Sequence, residues 1–198
     1  MKYDWLFPIA GYLCGSIPFA YIITKIVKGT DIRKQGSGNV GATNSLRVLG
    51  VKWALLVMIL DMLKLLPILL LARSMSISYN TILITAVAGV LGHNWPILLG
   101  FKGGKGVAVS ATIFFFLFPL PGLIVLGIFI LAIALSRFVS LGSILAAISA
   151  PMVIYLYGSS TQEVIFVALL ACLLIFMHRA NLQRLIAGKE SKIVFKRS

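Results

Sequence analysis

Long apolar runs alternate with short polar segments along the whole chain, and this alternation predicts a bundle of membrane-spanning helices. The apolar runs occupy about residues 5–27, 52–72, 80–99, 107–119, 121–136, 139–157 and 161–178. A helix needs about 20 apolar residues to cross the hydrocarbon core of a bilayer. The pattern therefore predicts an all-α polytopic membrane protein of about seven helices, with one long polar connection over residues 28–51.

The composition supports a single integral membrane domain over residues 1–198. The chain is 60% hydrophobic and its mean hydropathy is +1.02, whereas a soluble domain of this length is about half apolar. Seven spans leave no room for a separate soluble domain. The first apolar run is too long for a signal peptide and has no small-residue cleavage pattern after it, so we expect it to be a retained helix.

The distribution of charge predicts the number of crossings and their direction. Pro119 and Pro121 interrupt the apolar stretch 107–136, which is either one kinked span or two short ones. Lys and Arg gather in 28–52, in 100–106 and in the tail after residue 178. These three segments share one side of the membrane only if 107–136 crosses twice. By the positive-inside rule that side is cytoplasmic, which predicts an outside N-terminus and a cytoplasmic C-terminus.

Residues 36–47 form the first polar cluster, and their composition is that of a phosphate-binding loop. Three glycines among its first six positions let backbone N–H groups converge on an anion, and Arg47 can hold a phosphate with two parallel hydrogen bonds. No Gly-Lys-Ser/Thr ends the cluster, so it is not a Walker A loop. The alternative is a flexible linker, which rarely interleaves donors with glycines at a basic surface. The predicted phosphate-binding residues are Gly36, Ser37, Gly38, Asn39, Gly41, Thr43, Asn44 and Arg47.

Residues 92–106 form the second polar cluster, which immediately precedes an apolar helix. Unpaired N–H groups and the positive end of the helix dipole therefore face the position of its lysines. The alternative is a charged turn that only sets the topology, but two lysines would suffice for that without the glycines. The predicted binding residues are His93, Lys102, Gly103, Gly104, Lys105 and Gly106.

Residues 178–190 form the third polar cluster, and three further polar positions accompany it. On a helix, His178, Asn181 and Arg184 recur along one face, although a solvated helix end explains this stripe equally simply. Ser143 follows a cation on the predicted cytoplasmic side. Asp61 and Lys64 lie three residues apart inside a predicted span, so they can form an ion pair, with either a structural or a chemical purpose.

Several function classes are excluded by what the sequence lacks. The chain has 18 Lys and Arg against 5 Asp and Glu, and most of these cations lie between or after apolar runs, which favours anionic head groups and membrane orientation over nucleic acid. No clustered carboxylates and no Cys/His pattern provide a metal site, so no metal and no cofactor are expected. Neither His93 nor His178 begins a His-x4-Asp pattern, which excludes the acyltransferases that carry that signature.

The three clusters together resemble the bacterial acyl-phosphate:glycerol-3-phosphate acyltransferases, polytopic membrane enzymes. The resemblance rests on Gly-Ser-Gly-Asn-Val-Gly-Ala-Thr-Asn at 36–44, Gly-His…Phe-Lys-Gly-Gly-Lys-Gly-Val-Ala at 92–108, and His-Arg-x-Asn-x-x-Arg-Leu-x-x-Gly-x-Glu at 178–190. The Asp61/Lys64 spacing is also similar to the family's, although Leu65 stands where the family usually has Gly.

This resemblance implies transfer of a fatty acyl group from acyl phosphate to the 1-hydroxyl of glycerol 3-phosphate, at a cytosol-facing site in the bacterial inner membrane. The products would be lysophosphatidic acid and inorganic phosphate, in the first acylation of phospholipid synthesis. The resemblance implies catalytic roles for Ser37, Arg47, Lys105, His178 and Asn181, phosphate binding by Ser143 and Arg184, and structural roles for Asp61, Lys64 and Glu190.

Two points stay open at the level of sequence. The proton acceptor is either His178 or the acyl phosphate itself, and the soluble enzyme that makes acyl phosphate is a candidate partner besides membrane lipid. An organophosphate transporter is the alternative function, but transporters usually contain inverted repeats and midplane sites. No repeat is evident and the cations lie at one surface, which favours an enzyme whose three clusters are walls of one site.

Overall fold

The computed structural model describes residues 4–193, and these form α-helices and two short 3-10 turns without any strand. This confirms the all-helical prediction. The chain divides into two compact units at Ile113, and each unit is described by itself. The helix that contains this boundary is α7, Val107–Leu117.

The first unit contains six helices before α7. They are α1 (Leu6–Gly15), α2 (Phe19–Lys28), α3 (Ala42–Leu49), α4 (Val51–Leu63), α5 (Leu66–Ser74) and α6 (Tyr79–Asn94), with 3-10 turns at Ile32–Lys34 and Ile97–Leu99. The first two apolar runs are each broken in the middle, which the hydropathy pattern did not indicate. Pro18 and Pro67 follow the two breaks, and proline cannot donate the backbone hydrogen bond that would continue the helix.

Glycines let α1 and α6 approach closely. A Cβ on Gly15 would overlap the backbone of Gly89, and a Cβ on Gly92 would overlap the backbone of Tyr12. Small residues permit such close packing in helices that lipid surrounds. The fully buried Leu65 lies against the other side of α6, where its methyl carbon is 2.5 Å from the position of a Cβ on Gly89.

The second unit contains α8 (Pro119–Ser136), α9 (Val139–Leu156), α10 (Thr161–Met177) and α11 (Arg179–Ile186). The break predicted near the prolines is present, since α7 ends at Leu117 and α8 starts at Pro119. A proline in the first turn is tolerated because its missing N–H has no helical partner there. Ser160 and Glu163 begin α10 with reciprocal side-chain caps.

Five segments of the described chain are long and apolar enough to cross a membrane. They are Leu6–Lys28, Val51–Ser74, Tyr79–Leu99, Pro119–Ser136 and Val139–Leu156, and the pair Thr161–Met177 with Arg179–Ile186, bent by 60°, makes up to six. With 11 residues, α7 is about 17 Å long, shorter than the hydrocarbon core. Seven crossings and the orientation of the termini therefore stay predictions.

Candidate functional site

The loop of the first cluster is held in shape by one buried side chain, that of Asn44. Its Oδ1 accepts a hydrogen bond from the Ser37 backbone N–H at 2.8 Å. Its Nδ2 donates to the carbonyls of Gln35 and Asn39 at 3.0 Å and of Ile32 at 3.3 Å. Asn44 is 1% exposed, so both polar atoms are used inside the loop. The Asn44 amide thus holds together the loop that carries the other predicted donors, and phosphate binding by Asn44 itself stays a prediction.

This loop presents its remaining donors at the surface. Gly36 and Gly38 have φ values of +56° and +73°, a conformation that side chains with a Cβ rarely adopt. The turn that they form exposes Ser37. Gly41 is the N-cap residue of α3, a helix that the sequence did not predict. Thr43 and Arg47 lie one turn apart on this helix. The loop therefore combines an exposed hydroxyl, a helix N-terminus and an exposed guanidinium.

Arg33 connects the first loop to the second, a role that the sequence did not reveal. Its Nη2 forms an ion pair with Asp31 at 2.7 Å, and its Nη1 donates to the Leu99 carbonyl at 3.1 Å. The hydrogen bond from Arg33 outweighs the effect of burial and holds the pKa of Asp31 below its usual value. Because the Arg33 guanidinium is engaged in these contacts, its charge is already balanced before any anion binds.

The second loop pairs with the end of α6 and touches the first loop. Gly103 N–H donates to the Asn94 carbonyl at 3.1 Å, and Gly104 N–H donates to the His93 carbonyl at 3.0 Å. A Cβ on Gly104 would lie 2.6 Å from the carbonyl oxygen of Val40. Only glycine permits this approach, so the residue itself brings the two predicted clusters together. Lys105 follows at once and is half-buried, whereas Lys102 is exposed.

Two buried polar side chains without hydrogen-bond partners lie near the start of α7. Asn94 is 1% exposed, and neither its Oδ1 nor its Nδ2 has a partner within the described residues. The Oγ of Ser110 is likewise buried and unpartnered. A Cβ on Gly106 would lie 2.9 Å from Asn94 Oδ1, so the amide is next to the residue that precedes α7. Buried polar groups nearly always have partners, so this pair favours a polar ligand here.

Lys64 and its partners lie behind the second loop, deep in the first unit. The Lys64 ammonium donates to Asp61 Oδ1 at 2.9 Å and to the Ile17 carbonyl at 3.1 Å, and it lies 2.8 Å from His93 Nδ1. The Lys64 and Asp61 side chains are 1% and 4% exposed, and His93 is also buried. Asp61 and His93 line a narrow crevice together with Gly15–Ala20, Val40 and Pro96.

In the second unit, the carboxylate of Glu190 gathers the third cluster. It accepts hydrogen bonds from Asn181 Nδ2 and Arg184 Nε, both at 2.7 Å, and from Ser140 Oγ at 3.0 Å. Burial raises the pKa of Glu190, but the three hydrogen bonds and the Arg184 charge together bring the pKa below its usual value. Close in sequence to Glu190, the Ile193 N–H donates to the Arg137 carbonyl at 2.8 Å.

The hydrogen bonds of His178 and Ser143 decide what each can offer to a ligand. His178 is 3% exposed and its Nδ1 lies 2.9 Å from the Leu174 carbonyl oxygen. A carbonyl only accepts, so Nδ1 carries the proton and Nε2 holds the lone pair of the neutral ring. Ser143, 2% exposed, donates its proton to the Val139 carbonyl at 3.0 Å. Its hydroxyl can therefore accept a hydrogen bond but, in this rotamer, does not donate one to a phosphate.

The structure thus brings the first and second clusters together within the first unit, at Gly104 with Val40 and at Arg33 with Leu99. The third cluster belongs to the second unit, so one site formed by all three clusters stays a prediction. Sequence reasoning missed Arg33 and Asn94. The spacing of Asp31 and Arg33 could have indicated an ion pair, whereas no sequence pattern indicates that Asn94 is buried without a partner among the residues that the structure describes.

Comparisons with known proteins all indicate the same protein family. The model of the family described as glycerol-3-phosphate acyltransferase matches residues 5–188. A glycerol-3-phosphate acyltransferase of Thermoanaerobacter sp. (strain X514) is 46% identical over 191 residues, with 96% of each chain covered. The one of Thermotoga petrophila is 43% identical over 195 residues, with 98% of each covered.

Two solved structures are similar as well. One is the crystal structure of PlsY (YgiH), an integral membrane glycerol 3-phosphate acyltransferase, in its glycerol 3-phosphate form. Its TM-score is 0.90 at 39% identity, and 96% of each chain is covered. The lysophosphatidic acid form of PlsY has a TM-score of 0.86 at 37% identity, with 97% of this chain and 96% of that one covered.

Proposed function

This chain belongs to the glycerol-3-phosphate acyltransferase family, and from that membership we propose that it transfers a fatty acyl group from acyl phosphate to the 1-hydroxyl of glycerol 3-phosphate. The products are lysophosphatidic acid (1-acylglycerol 3-phosphate) and inorganic phosphate. The observation that carries the proposal is the contact between two glycine-rich loops, one of which carries the exposed Arg47 and the other the half-buried Lys105. The glycerol 3-phosphate and lysophosphatidic acid forms of PlsY support this choice of acceptor and product.

The charges of the substrates explain why the loops are basic. Both substrates are phosphate anions with a charge near −2. Two such dianions about 5 Å apart repel by roughly 13 kcal/mol at an effective dielectric constant of 20. A protein that brings them together must supply several cations, and Arg47, Lys102 and Lys105 belong to the two loops in contact. Arg33 does not serve this purpose, because Asp31 already balances its charge.

Each loop of the first unit is suited to one phosphate group. We assign to the first loop a phosphate held by Ser37, Asn39, Thr43 and Arg47 around the glycines at 36, 38 and 41. The second loop binds the other phosphate with Lys105, Lys102 and the backbone of 103–106. The unpartnered amide of Asn94 and the N-terminus of α7 support a polar ligand there.

The third cluster is assigned the handling of the attacking hydroxyl. Asn181 and Arg184, held by Glu190, orient substrate oxygens, and Ser143 assists as an acceptor. The hydroxyl oxygen attacks the acyl carbon, the bond from that carbon to the phosphate oxygen breaks, and phosphate leaves. The hydroxyl proton goes to a phosphate oxygen of the acyl phosphate itself. His178 is the alternative acceptor, since its Nε2 holds the lone pair of the neutral ring.

The surroundings of the reaction follow from the same proposal. The enzyme resides in the bacterial inner membrane with an outside N-terminus, a cytoplasmic C-terminus and its basic loops facing the cytosol. Acyl phosphate then arrives from the cytosolic side, where the soluble enzyme that makes it is a candidate partner. The acyl chain enters from the lipid and lysophosphatidic acid returns to it. No cofactor takes part, because phosphate is already a good leaving group.

Phosphate release by the purified protein in detergent tests the proposal. We expect release only when acyl phosphate and glycerol 3-phosphate are both present, with lysophosphatidic acid formed in equal amount. Acyl-CoA in place of acyl phosphate should give no product. Exchange of labelled glycerol 3-phosphate across vesicles without product would instead support an organophosphate transporter. A Lys25→Ala variant, altered at an exposed lysine outside both loops, serves as the control for changes in the loop cations.

A further inference from the structure

Lys64 lies where three interruptions of the helices meet. Ile17 is in the break between α1 and α2, Lys64 itself separates α4 from α5, and His93 is in the last turn of α6. An ammonium group has three N–H donors, and three acceptors lie within 2.8–3.1 Å of this one: Asp61 Oδ1, the Ile17 carbonyl and His93 Nδ1. Every donor of Lys64 therefore has a partner.

This arrangement determines the protonation of His93. Because Nδ1 accepts from the ammonium, the ring is neutral and carries its proton on Nε2. A doubly protonated ring would point an N–H at the ammonium 2.8 Å away and add an unbalanced charge to a buried, neutral Asp61–Lys64 pair. The His93 ring is thus fixed in one orientation from its Nδ1 side.

The opposite edge of the ring meets the second loop. A Cβ on Gly104 would overlap His93 Nε2, and the Gly104 N–H donates to the carbonyl of His93 at 3.0 Å. His93 therefore limits the position of Gly104 both through its backbone and through its ring. The next residue along the chain is Lys105.

We propose that His93 is a positioning residue of this enzyme, not a ligand of phosphate: the buried Asp61–Lys64 pair orients its ring, and the ring edge sets the path of the loop that presents Lys105. This role rests on the proposed function, in which Lys105 binds a substrate phosphate, and it further takes that phosphate to be the one of glycerol 3-phosphate. It also gives the intramembrane ion pair a purpose, since the pair acts on the reaction through His93 and the loop.

Two substitutions separate the two sides of the ring. In His93→Asn the amide reaches about as far as Nδ1, so the contact with Lys64 is retained while the edge toward Gly104 is lost. We expect the KM for glycerol 3-phosphate to rise about tenfold, equivalent to 1.4 kcal/mol, with kcat within about twofold and the unfolding temperature near that of the wild type. In His93→Gln the amide reaches as far as Nε2, so the KM should recover toward the wild-type value while the unfolding temperature falls. An unchanged KM in His93→Asn would overturn the proposal.

A double-mutant cycle tests the contact itself. Gly104→Ala forces a Cβ toward the His93 ring, and its effect on KM should be smaller when His93→Asn has already removed the ring edge. Gly127→Ala is the matched control, because Gly127 lies in a helix with nothing within 4 Å of its added Cβ. Fully additive effects of the two changes on KM would contradict a contact between ring and loop.

The tautomers of the two histidines supply a measurement that does not depend on catalysis. The chain has only His93 and His178, so nitrogen-15 spectra of labelled imidazoles give two sets of signals that one substitution assigns. We expect His93 to carry its proton on Nε2 and His178 on Nδ1. An imidazolium at His93 at neutral pH would overturn the proposal. If the wild type formed no product, the proposed function would fail alone, while these spectra would still decide the state of His93.

Discussion

Glu190 offers the sharpest test of how the third cluster is held together. Its two carboxylate oxygens have different partners: Oε1 accepts from Ser140 and Asn181, and Oε2 accepts from Arg184. In Glu190→Gln the amide oxygen can replace Oε1, whereas the amide nitrogen faces the N–H of Arg184. Glu190→Ala removes all three acceptors. The two variants therefore separate the Arg184 contact from the other two.

The structure sets the expected magnitudes. The Arg184 side chain is 43% exposed, so it can turn to water, and its lost ion pair costs less than about 1 kcal/mol. Ser140 and Asn181 are each 6% exposed, and a hydrogen bond to a carboxylate contributes about 1.5–3 kcal/mol. Glu190→Ala should therefore lower the free energy of unfolding by about 3 kcal/mol or more, and Glu190→Gln by less, because its amide oxygen still accepts from Ser140 and Asn181 although it is neutral. The Gln variant should still raise the KM, because Arg184 loses its orientation.

Denaturant unfolding in detergent, together with initial rates of phosphate release, measures both effects. Glu163→Gln is the matched control, since a glutamine at that position preserves the caps at the start of α10. The folded-state pKa of Glu190 is lowered, so its contribution to stability is complete above the usual pKa of 4.5 and is lost as the pH falls through the lowered value. Equal destabilisation by the Gln and Ala variants would refute the division of the two oxygens.

Three further predictions concern the first unit. Lys105→Ala should lower turnover by about 10²-fold or more, the scale on which loss of one preorganised electrostatic contact acts, and near-normal phosphate release would contradict this. Mass spectrometry of quenched reactions should find no acyl group on Ser37, because transfer is direct; a trapped acyl-Ser37 would exclude that route. Asn44→Ala should destabilise the protein by about 3 kcal/mol, through loss of buried hydrogen bonds of about 1 kcal/mol each, and raise the KM for at least one substrate. Full stability of the variant in denaturant unfolding would show that Asn44 does not hold the loop.

Much of the fold could be read from hydropathy and from the positions of proline and glycine. The predicted start of α9 agrees with its observed start at Val139, and the predicted end of α10 at residue 178 lies within one residue of Met177. The breaks after Gly15 and Leu63 did not show in the pattern, because both sides of each break are equally apolar. The helix α3 was also missed, since its composition of Ala, Thr, Asn and Ser is that of a polar loop.

The site was predictable by cluster but not by role. The glycines and cations at 36–47 and 100–106 mark two loops that contact each other in the structure, while their binding of phosphate stays a prediction. The sequence could not tell that Asn44 faces inward while Ser37 faces outward, because both are short polar residues in one loop. It also offered no reason to choose Asn94, whose significance lies only in the absence of hydrogen-bond partners within the described part of the chain.

The sequence by itself determined where the chain is apolar, where its backbone is free to turn and where positive charge accumulates, since each is a property of neighbouring residues. The tertiary structure alone decided which polar side chain is consumed in holding the fold. Arg33 donates a hydrogen bond to the carbonyl of Leu99, which is 66 residues away in the sequence. Lys64 forms a hydrogen bond with His93, at a sequence separation of 29 residues. Hydrogen bonds act over about 3 Å in space regardless of separation along the chain. A local sequence pattern therefore cannot distinguish a side chain that is available to bind substrate from one that is hydrogen-bonded within the protein.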